Sequence, residues 1–236
     1  MNPDAAALIA ALDATWPPAA RRRIGPWIIR EGQGGGSRVS AATAAGDWAD
    51  GDIPAAEAAM RALGQVPLFK VTPGDPLDAA LAARGYRWLD ETRILAAPVA
   101  TLAIEPPHLT ALAHWPPLAV TVDLWAAGGI GPARLAVMQR AAEPKTAILA
   151  RTADRPAGAA FAAIAGAIAC LHAVTVAPAF RRQGSAHNML RRAAVWAQTH
   201  GAIQLALAVT ADNAPAGELY ASAGMQTVGH YLYRII

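Results

Sequence analysis

Two hydrophobic periods alternate along the chain, and their order sets out its organisation. Apolar positions three and four residues apart predict helices over Ala5 to Ala14, Ala55 to Leu63, Pro76 to Arg84, Pro132 to Ala142 and Pro215 to Ala223. A further helix runs from the loop at Gly184 to His200, with Leu190, Ala193, Ala194 and Ala197 on one face. Alternating or unbroken apolar runs predict strands over Trp27 to Arg30, Pro67 to Val71, Tyr86 to Ala96, Thr146 to Thr152, Ala159 to Ile164, Ala169 to Val176, Ile203 to Thr210 and Thr227 to Tyr233. Arg38 to Ala42 is expected to pair with Trp27 to Arg30. On that reading Gly32-Gln33-Gly34-Gly35-Gly36-Ser37 is a hairpin connection and not a phosphate loop, because no helix follows it.

From Pro98 to Pro117 neither period holds, and Glu105-Pro106-Pro107 and Trp115-Pro116-Pro117 interrupt any regular element. The expected organisation is a first domain over 1–100, a proline-rich linker over 101–118 and a second domain over 119–236. A weak repeat links the halves. Leu68 to Thr72, followed by a helix closing on Gly85-Tyr86, echoes Leu205 to Thr210, Asp212 and a helix closing on Gly224-Met225.

Composition narrows the class. With 54% hydrophobic and 16% charged residues the chain is no disordered protein, although much of the apolar content is alanine methyl groups. Arginine supplies nearly all of the basic charge, since Lys70 and Lys145 are the only lysines. The net charge of +3 is carried in short arginine pairs and in Arg21-Arg22-Arg23, without interleaved aromatics. This reads as a solvated surface, and no nucleic-acid partner is expected. The single cysteine, Cys170, lies in an apolar run, which suits a small buried hydrophobe in a reducing compartment and excludes a cysteine-based metal cluster. Met1-Asn2-Pro3-Asp4 lacks the basic start of a secretory signal, and the run between Arg155 and His172, mostly Ala and Gly, is shorter than a membrane span. A soluble cytoplasmic protein is expected.

Chemistry concentrates after the strand ending at Val176. Pro178-Ala179-Phe180 leads into Arg181-x-x-Gly184-x-Ala186 and then a helix. Small residues at Gly184 and Ala186 let an anion approach the first free amides of that helix, and Arg181 and Arg182 add positive charge. The Gly-Lys-Ser/Thr ending of a nucleotide-triphosphate loop is absent, so the site suits a pyrophosphate held without metal.

This loop resembles the coenzyme loop of the GNAT superfamily of acyl-CoA-dependent N-acetyltransferases, and the resemblance extends downstream. Asp212-Asn213-Ala214-Pro215-Ala216 and Leu219-Tyr220-Ala221-Ser222-Ala223-Gly224-Met225 are similar to the family's Asn-x-x-Ala-x-x-Leu-Tyr-x-x-x-Gly-Phe stretch. Met225 stands where the family usually has Phe. The resemblance covers about Ala119 to Ile236 and implies an α/β (α+β) fold with a mixed, mostly antiparallel sheet flanked by helices. The first half reads as a degenerate GNAT-like copy without a coenzyme loop, making two tandem units.

The resemblance also implies roles. Amides from Gln183 through Gly184, Ser185 and Ala186 to His187 would hold the pyrophosphate of acetyl-CoA, with Arg181 and Arg182 near phosphate or adenosine. The backbone of Val174, Thr175 and Val176 would pair with the pantetheine amides as an added strand, and Asn213 would hydrogen-bond the same arm. A strand N–H near Val174 would polarise the thioester carbonyl, and Tyr220 would protonate the departing thiolate. No metal is implied.

Other readings compete at several positions. Asn213 is also a good helix cap, and Tyr220 a good core aromatic. His172 reads as a satisfied strand histidine, and His187 and His200 as surface residues. Ala173 and Thr175 occupy positions where a carboxylate base could have stood, leaving Asp212, Glu218 and His172 as candidates. Trp115, Trp125, Met138, Tyr231 and Tyr233 are candidates for an acceptor pocket or for core. The function implied is transfer of an acetyl group from acetyl-CoA to a primary amine by direct attack, and the alternative is a non-catalytic acetyl-CoA sensor. The last strand and chain end could mediate a homodimer.

Overall fold

The computed structural model describes residues 5–236; the Met1-Asn2-Pro3-Asp4 segment read above lies outside them. In chain order the first half contains α1 (Ala5–Thr15), β1 (Ala20–Ile24), β2 (Trp27–Glu31), α2 (Ser37–Ser40), β3 (Thr43–Ala44), α3 (Ile53–Ala62), β4 (Leu68–Val71), α4 (Pro76–Ala83), β5 (Arg87–Pro98) and α5 (Val99–Leu102). The second contains β6 (Ala111–His114), α6 (Ala119–Ala127), α7 (Pro132–Arg140), β7 (Lys145–Thr152), β8 (Arg155–Ala165), β9 (Ile168–Val176), α8 (Ser185–Thr199), β10 (Gln204–Thr210), α9 (Ala214–Ser222) and β11 (Gln226–Ile235).

Eight strands form the main sheet in the order β4-β11-β5-β10-β9-β8-β7-β6; β1, β2 and β3 form a small second sheet. All neighbours in the main sheet are antiparallel except β9 and β10. The sheet crosses the proline-rich stretch: β5 from the first half sits between β10 and β11 of the second. That stretch itself contains β6, paired with β7.

The weak sequence repeat corresponds to a repeated βαβ unit. In β4-α4-β5 and β10-α9-β11 the helices are capped alike, with Asp75 accepting from the Leu77 amide at 2.8 Å and Asn213 from the Ala216 amide at 3.2 Å. Both helices stop at a left-handed glycine, Gly85 (φ 86°) and Gly224 (φ 88°), a conformation that glycine adopts without steric strain. The strands interlock as β4·β11·β5·β10, so exchanging one unit for the other reproduces the same antiparallel order.

Period-two burial explains the two-sided core. Ile148, Ala150, Ala160, Ala162 and Ile164 face α8, where Met189, Leu190, Ala193, Ala194 and Ala197 are buried. Ala147, Ala159, Phe161 and Ala163 face the opposite layer with Trp16, Trp125, Val137 and Met138. The many alanines on β8 therefore let helices approach both faces of a strand buried on each side.

One expected strand is absent. Residues 37–40 form a helical turn, and only Thr43–Ala44 pair with β2. The glycine run folds tightly instead of extending: Gly36 has φ 101°, and a Cβ on Gly35 would meet Val137 and Val39 side chains at 2.7 and 2.8 Å. The reading of this run as a hairpin connection that continues directly into a strand is accordingly corrected. The Arg21-Arg22-Arg23 triplet lies exposed on β1.

Candidate active site

Among the described residues, the one parallel strand pair of the main sheet parts partway along its length. β9 and β10 are in register from Ile168↔Gln204 to Leu171↔Leu207, and pairing stops there although β9 runs to Val176 and β10 to Thr210. Beyond Leu171 the β10-facing edge of β9 is free to pair with an extended ligand.

A bulge turns this edge. Against β8 the register shifts between Phe161↔His172 and Ala159↔Thr175, so Ala173 and Val174 oppose Ala160 alone. Ala173 adopts φ 51°, and the Trp125 indole N–H donates to its carbonyl at 2.9 Å. Two glycines hold the next turn of backbone. A Cβ on Gly158 would lie 2.5 Å from the Thr175 carbonyl oxygen, and one on Gly128 would lie 2.4 Å from Thr175 Oγ1.

The splayed strands open into a cleft of about 1190 Å³. Val174, Thr175 and Val176 line one wall, and Asn213 and Tyr220 lie with α9 on another. At one end stand Arg181, Arg182, Gly184, Ser185, Ala186 and His187. Gln183 points elsewhere, donating its side-chain amide to the Ala179 carbonyl at 3.0 Å.

Sequence accounts for this end. Pro178–Phe180 make one tight helical turn, Arg182 (φ 62°) and Gly184 (φ 83°) reverse the chain, and α8 begins at Ser185. No side chain caps α8, and the amides of Ser185, Ala186 and His187 have no acceptor among the described residues. Chain neighbours aside, no described residue lies within 4 Å of a Cβ built on Gly184, so the space beside the start of α8 is open. The Ser185 hydroxyl is tied to Thr152 Oγ1 at 2.8 Å, fixing the first turn of α8 to the end of β7 and leaving the Ser185 amide as its contribution. Orphan amides, the positive helix end and two exposed arginines fit a pyrophosphate. Among the described residues no group of three or more His, Cys, Asp or Glu side chains could hold a metal.

Asn213 caps α9 through Oδ1, and the residue lines the cleft. The Tyr220 ring is buried against the α8 core, and burial pushes its hydroxyl up to about 12. The hydroxyl has no protein hydrogen-bond partner among the described residues and is not sealed from the cleft.

His172 is fully engaged. Arg38 Nη1 donates to Nδ1 at 2.9 Å, and Thr15 Oγ1, which donates to the Ala11 carbonyl at 2.7 Å, lies 2.8 Å from Nε2. Arginine can only donate and the Thr15 proton is committed, so the bonds assign a neutral ring with its proton on Nε2. Burial, aided by the Arg38 charge, lowers its pKa well below the ordinary value. Neither nitrogen is available as a base. Glu218 borders the cleft, whereas Asp212 lies outside its lining.

Tyr231 and Tyr233 line the cleft, while Trp125 and Met138 are core. Trp16, Ser37, Arg38, Asp90 and Thr92 also stand in the walls, with no local motif pointing to them. The first three are brought in by α1 and by the glycine run, the last two by β5 lying inside the second half's sheet.

Comparison with known proteins agrees with this geometry. Residues 114–225 match the model of the acetyltransferase (GNAT) family. The chain is 24% identical to YobR, an uncharacterized N-acetyltransferase of Bacillus subtilis strain 168, over 94% of each protein. A GCN5-related N-acetyltransferase from Kribbella flavida has a similar structure, with a TM-score of 0.69 at 19% identity over 100% of this chain and 96% of that one. A tandem GNAT protein from the clavulanic acid biosynthesis pathway has a TM-score of 0.58 at 12% identity, covering 97% of this chain and 87% of its own. No helix among the described residues is long and apolar enough to cross a membrane. Residues 114–225 thus carry an acetyltransferase (GNAT) domain, which makes the protein an acyltransferase.

Proposed function

We propose that the protein transfers an acetyl group from acetyl-CoA to a primary amine by direct attack. The observation that carries this reading is the continuity of the cleft: orphan amides at the start of α8, the unpaired edge of β9 and the Tyr220 hydroxyl border one space.

The coenzyme pyrophosphate would sit on the amides of Gly184 to His187, with Arg181 and Arg182 neutralising charge at the mouth. The pantetheine arm would run along Val174, Thr175 and Val176 as an added strand, with the free amide of Asn213 on its other side. The amine enters neutral, its ammonium proton having gone to water. Its nitrogen attacks the thioester carbonyl carbon while an N–H near Val174 supports the oxygen. As the C–N bond is made and the C–S bond breaks, the thiolate takes the Tyr220 proton. Cleft water returns to Tyr220 the proton lost by the amide nitrogen. The same burial that keeps Tyr220 protonated raises the basicity of a thiolate formed beside it, which matches donor to acceptor.

Thiol release from acetyl-CoA in the presence of primary amines tests the reading. Amine-dependent release with formation of the N-acetyl product supports it; coenzyme binding without release from any amine overturns it.

A further inference from the structure

The end of the cleft away from α8 holds a cation that the reaction above does not use. Arg38 reaches the cleft from α2, at the point where β9 and β10 part, since its partner His172 directly follows the last paired residue, Leu171. Its Nε is buried and makes no hydrogen bond. Besides His172, its neighbours are the hydroxyl groups of Tyr231 and Tyr233 from β11 and the carboxylate of Asp13 from α1.

Among the described residues no carboxylate pairs with it. Asp13 is held by Arg30 from β2 at 3.0 Å and by Lys70 from β4 at 3.2 Å, so the group comprises three cations, Arg30, Arg38 and Lys70, and one anion. An enclosed guanidinium without a counter-charge is unfavourable unless a ligand supplies one. Its position is nonetheless fixed, through the relay from the Ala11 carbonyl through Thr15 and His172 to Nη1. This is the arrangement of a preset anion receptor, with the planar fork that suits a carboxylate.

We propose that the acceptor is an amine bearing a carboxylate, an amino acid or a short relative of one, and that Arg38 binds the carboxylate while the amine faces the thioester. The proposal rests on the N-acetyltransferase reading for the role of the amine. Val174 lies two residues beyond His172 across the bulge at Ala173, at most about 7 Å along the strand. That distance suits an amine and a carboxylate separated by one to a few carbons, each with its own hydrogen bond. His172 is a positioning residue that holds the guanidinium in place.

The test pairs acids with their carboxamides. The common L-amino acids, β-alanine and 4-aminobutyrate, each beside its amide, and aminoalkylphosphonates are measured by ligand-observed NMR on the protein with and without coenzyme A, and then by thiol release. Wild type is compared with Arg38→Gln, whose amide can still donate to His172, and with Arg38→Lys. Loss of the charge-assisted bonds is worth about ten- to a hundredfold, so an acid should exceed its amide by that factor in binding or kcat/KM. Arg38→Gln should level the two, and Arg38→Lys should fall between.

Acids and amides within about twofold of each other in wild type would overturn the proposal. So would preference for phosphonates, an equal loss for both partners in Arg38→Gln, or no acid binding at about 10 mM. Should Arg38→Gln fail to fold, the acid and amide pairs on wild type decide alone. A separate acetyl-CoA titration distinguishes the two failures. Coenzyme binding without acid binding removes only the carboxylate site, and acid binding without coenzyme binding removes the acetyltransferase reading.

Discussion

Replacing Tyr220 with Phe separates a proton donor from a packed aromatic. The ring is buried among α8 and α9 side chains, and Phe fills the same volume. The hydroxyl makes no hydrogen bond to the protein, so its removal leaves no orphaned partner and no cavity. Stability should therefore change by no more than about 0.5 kcal/mol. Loss of general acid catalysis should lower kcat by about 100- to 10,000-fold, or about 3 to 5 kcal/mol of barrier. The assay combines thermal unfolding, calorimetric acetyl-CoA affinity and thiol-release kinetics on one preparation. Expected are an unchanged melting temperature, coenzyme affinity within about threefold and a collapsed kcat. With the hydroxyl pushed up to about 12, Tyr220 stays protonated over the working range, and no alkaline loss of activity below about pH 11 should trace to it. Undiminished kcat in Tyr220→Phe would refute the role, and unfolding by several kcal/mol would refute the claim that the hydroxyl is structurally idle.

The buried neutral His172 links stability to pH. Its folded pKa lies well below the ordinary 6.5, so an unfolded chain takes up a proton that the folded one refuses; stability is complete above about pH 6.5 and falls below it by up to about 1.4 kcal/mol per pH unit. Urea unfolding of wild type and His172→Gln at pH 5 and 7.5 should show this part of the slope lost in the variant, and parallel slopes would contradict the assignment. Burial raises the Cys170 thiol to about 12, so a thiol-reactive dye should find none in the native protein and one after denaturation; rapid native labelling would show that the β9 core opens.

What could be read in the sequence follows from where each signal lies. The α8 end of the cleft was legible as a helix start and a helix cap, because Arg181, Gly184, Ala186, Asn213 and Tyr220 are local to one strand-helix-strand run. The cap reading of Asn213 holds, since Oδ1 caps α9, and the residue also lines the cleft. The Arg38 end of the cleft was not legible. Arg38 gains meaning only when the glycine run collapses onto α7 and the β9-β10 split brings His172 beside it, contacts that span 134 residues of chain. β6 and α6 were missed because prolines crowd a strand of four residues and α6 buries only Thr121 and Trp125, too few for a clear period. The interlocking of β5 between β10 and β11 is a matter of pairing, which hydrophobic alternation on single strands does not encode.

The central claim is that the cradle before α8, joined to the open edge of β9, binds acetyl-CoA. Calorimetric titration of acetyl-CoA into wild type and Gly184→Ala tests it directly. At φ 83° alanine adds about 1 kcal/mol of backbone strain and a methyl group at the start of α8, where the protein itself leaves room. The account predicts saturable binding of one coenzyme per chain to wild type, weakened about tenfold or more in a variant that remains folded. Absence of binding to wild type at about millimolar coenzyme, or equal affinity in the two proteins, would contradict it.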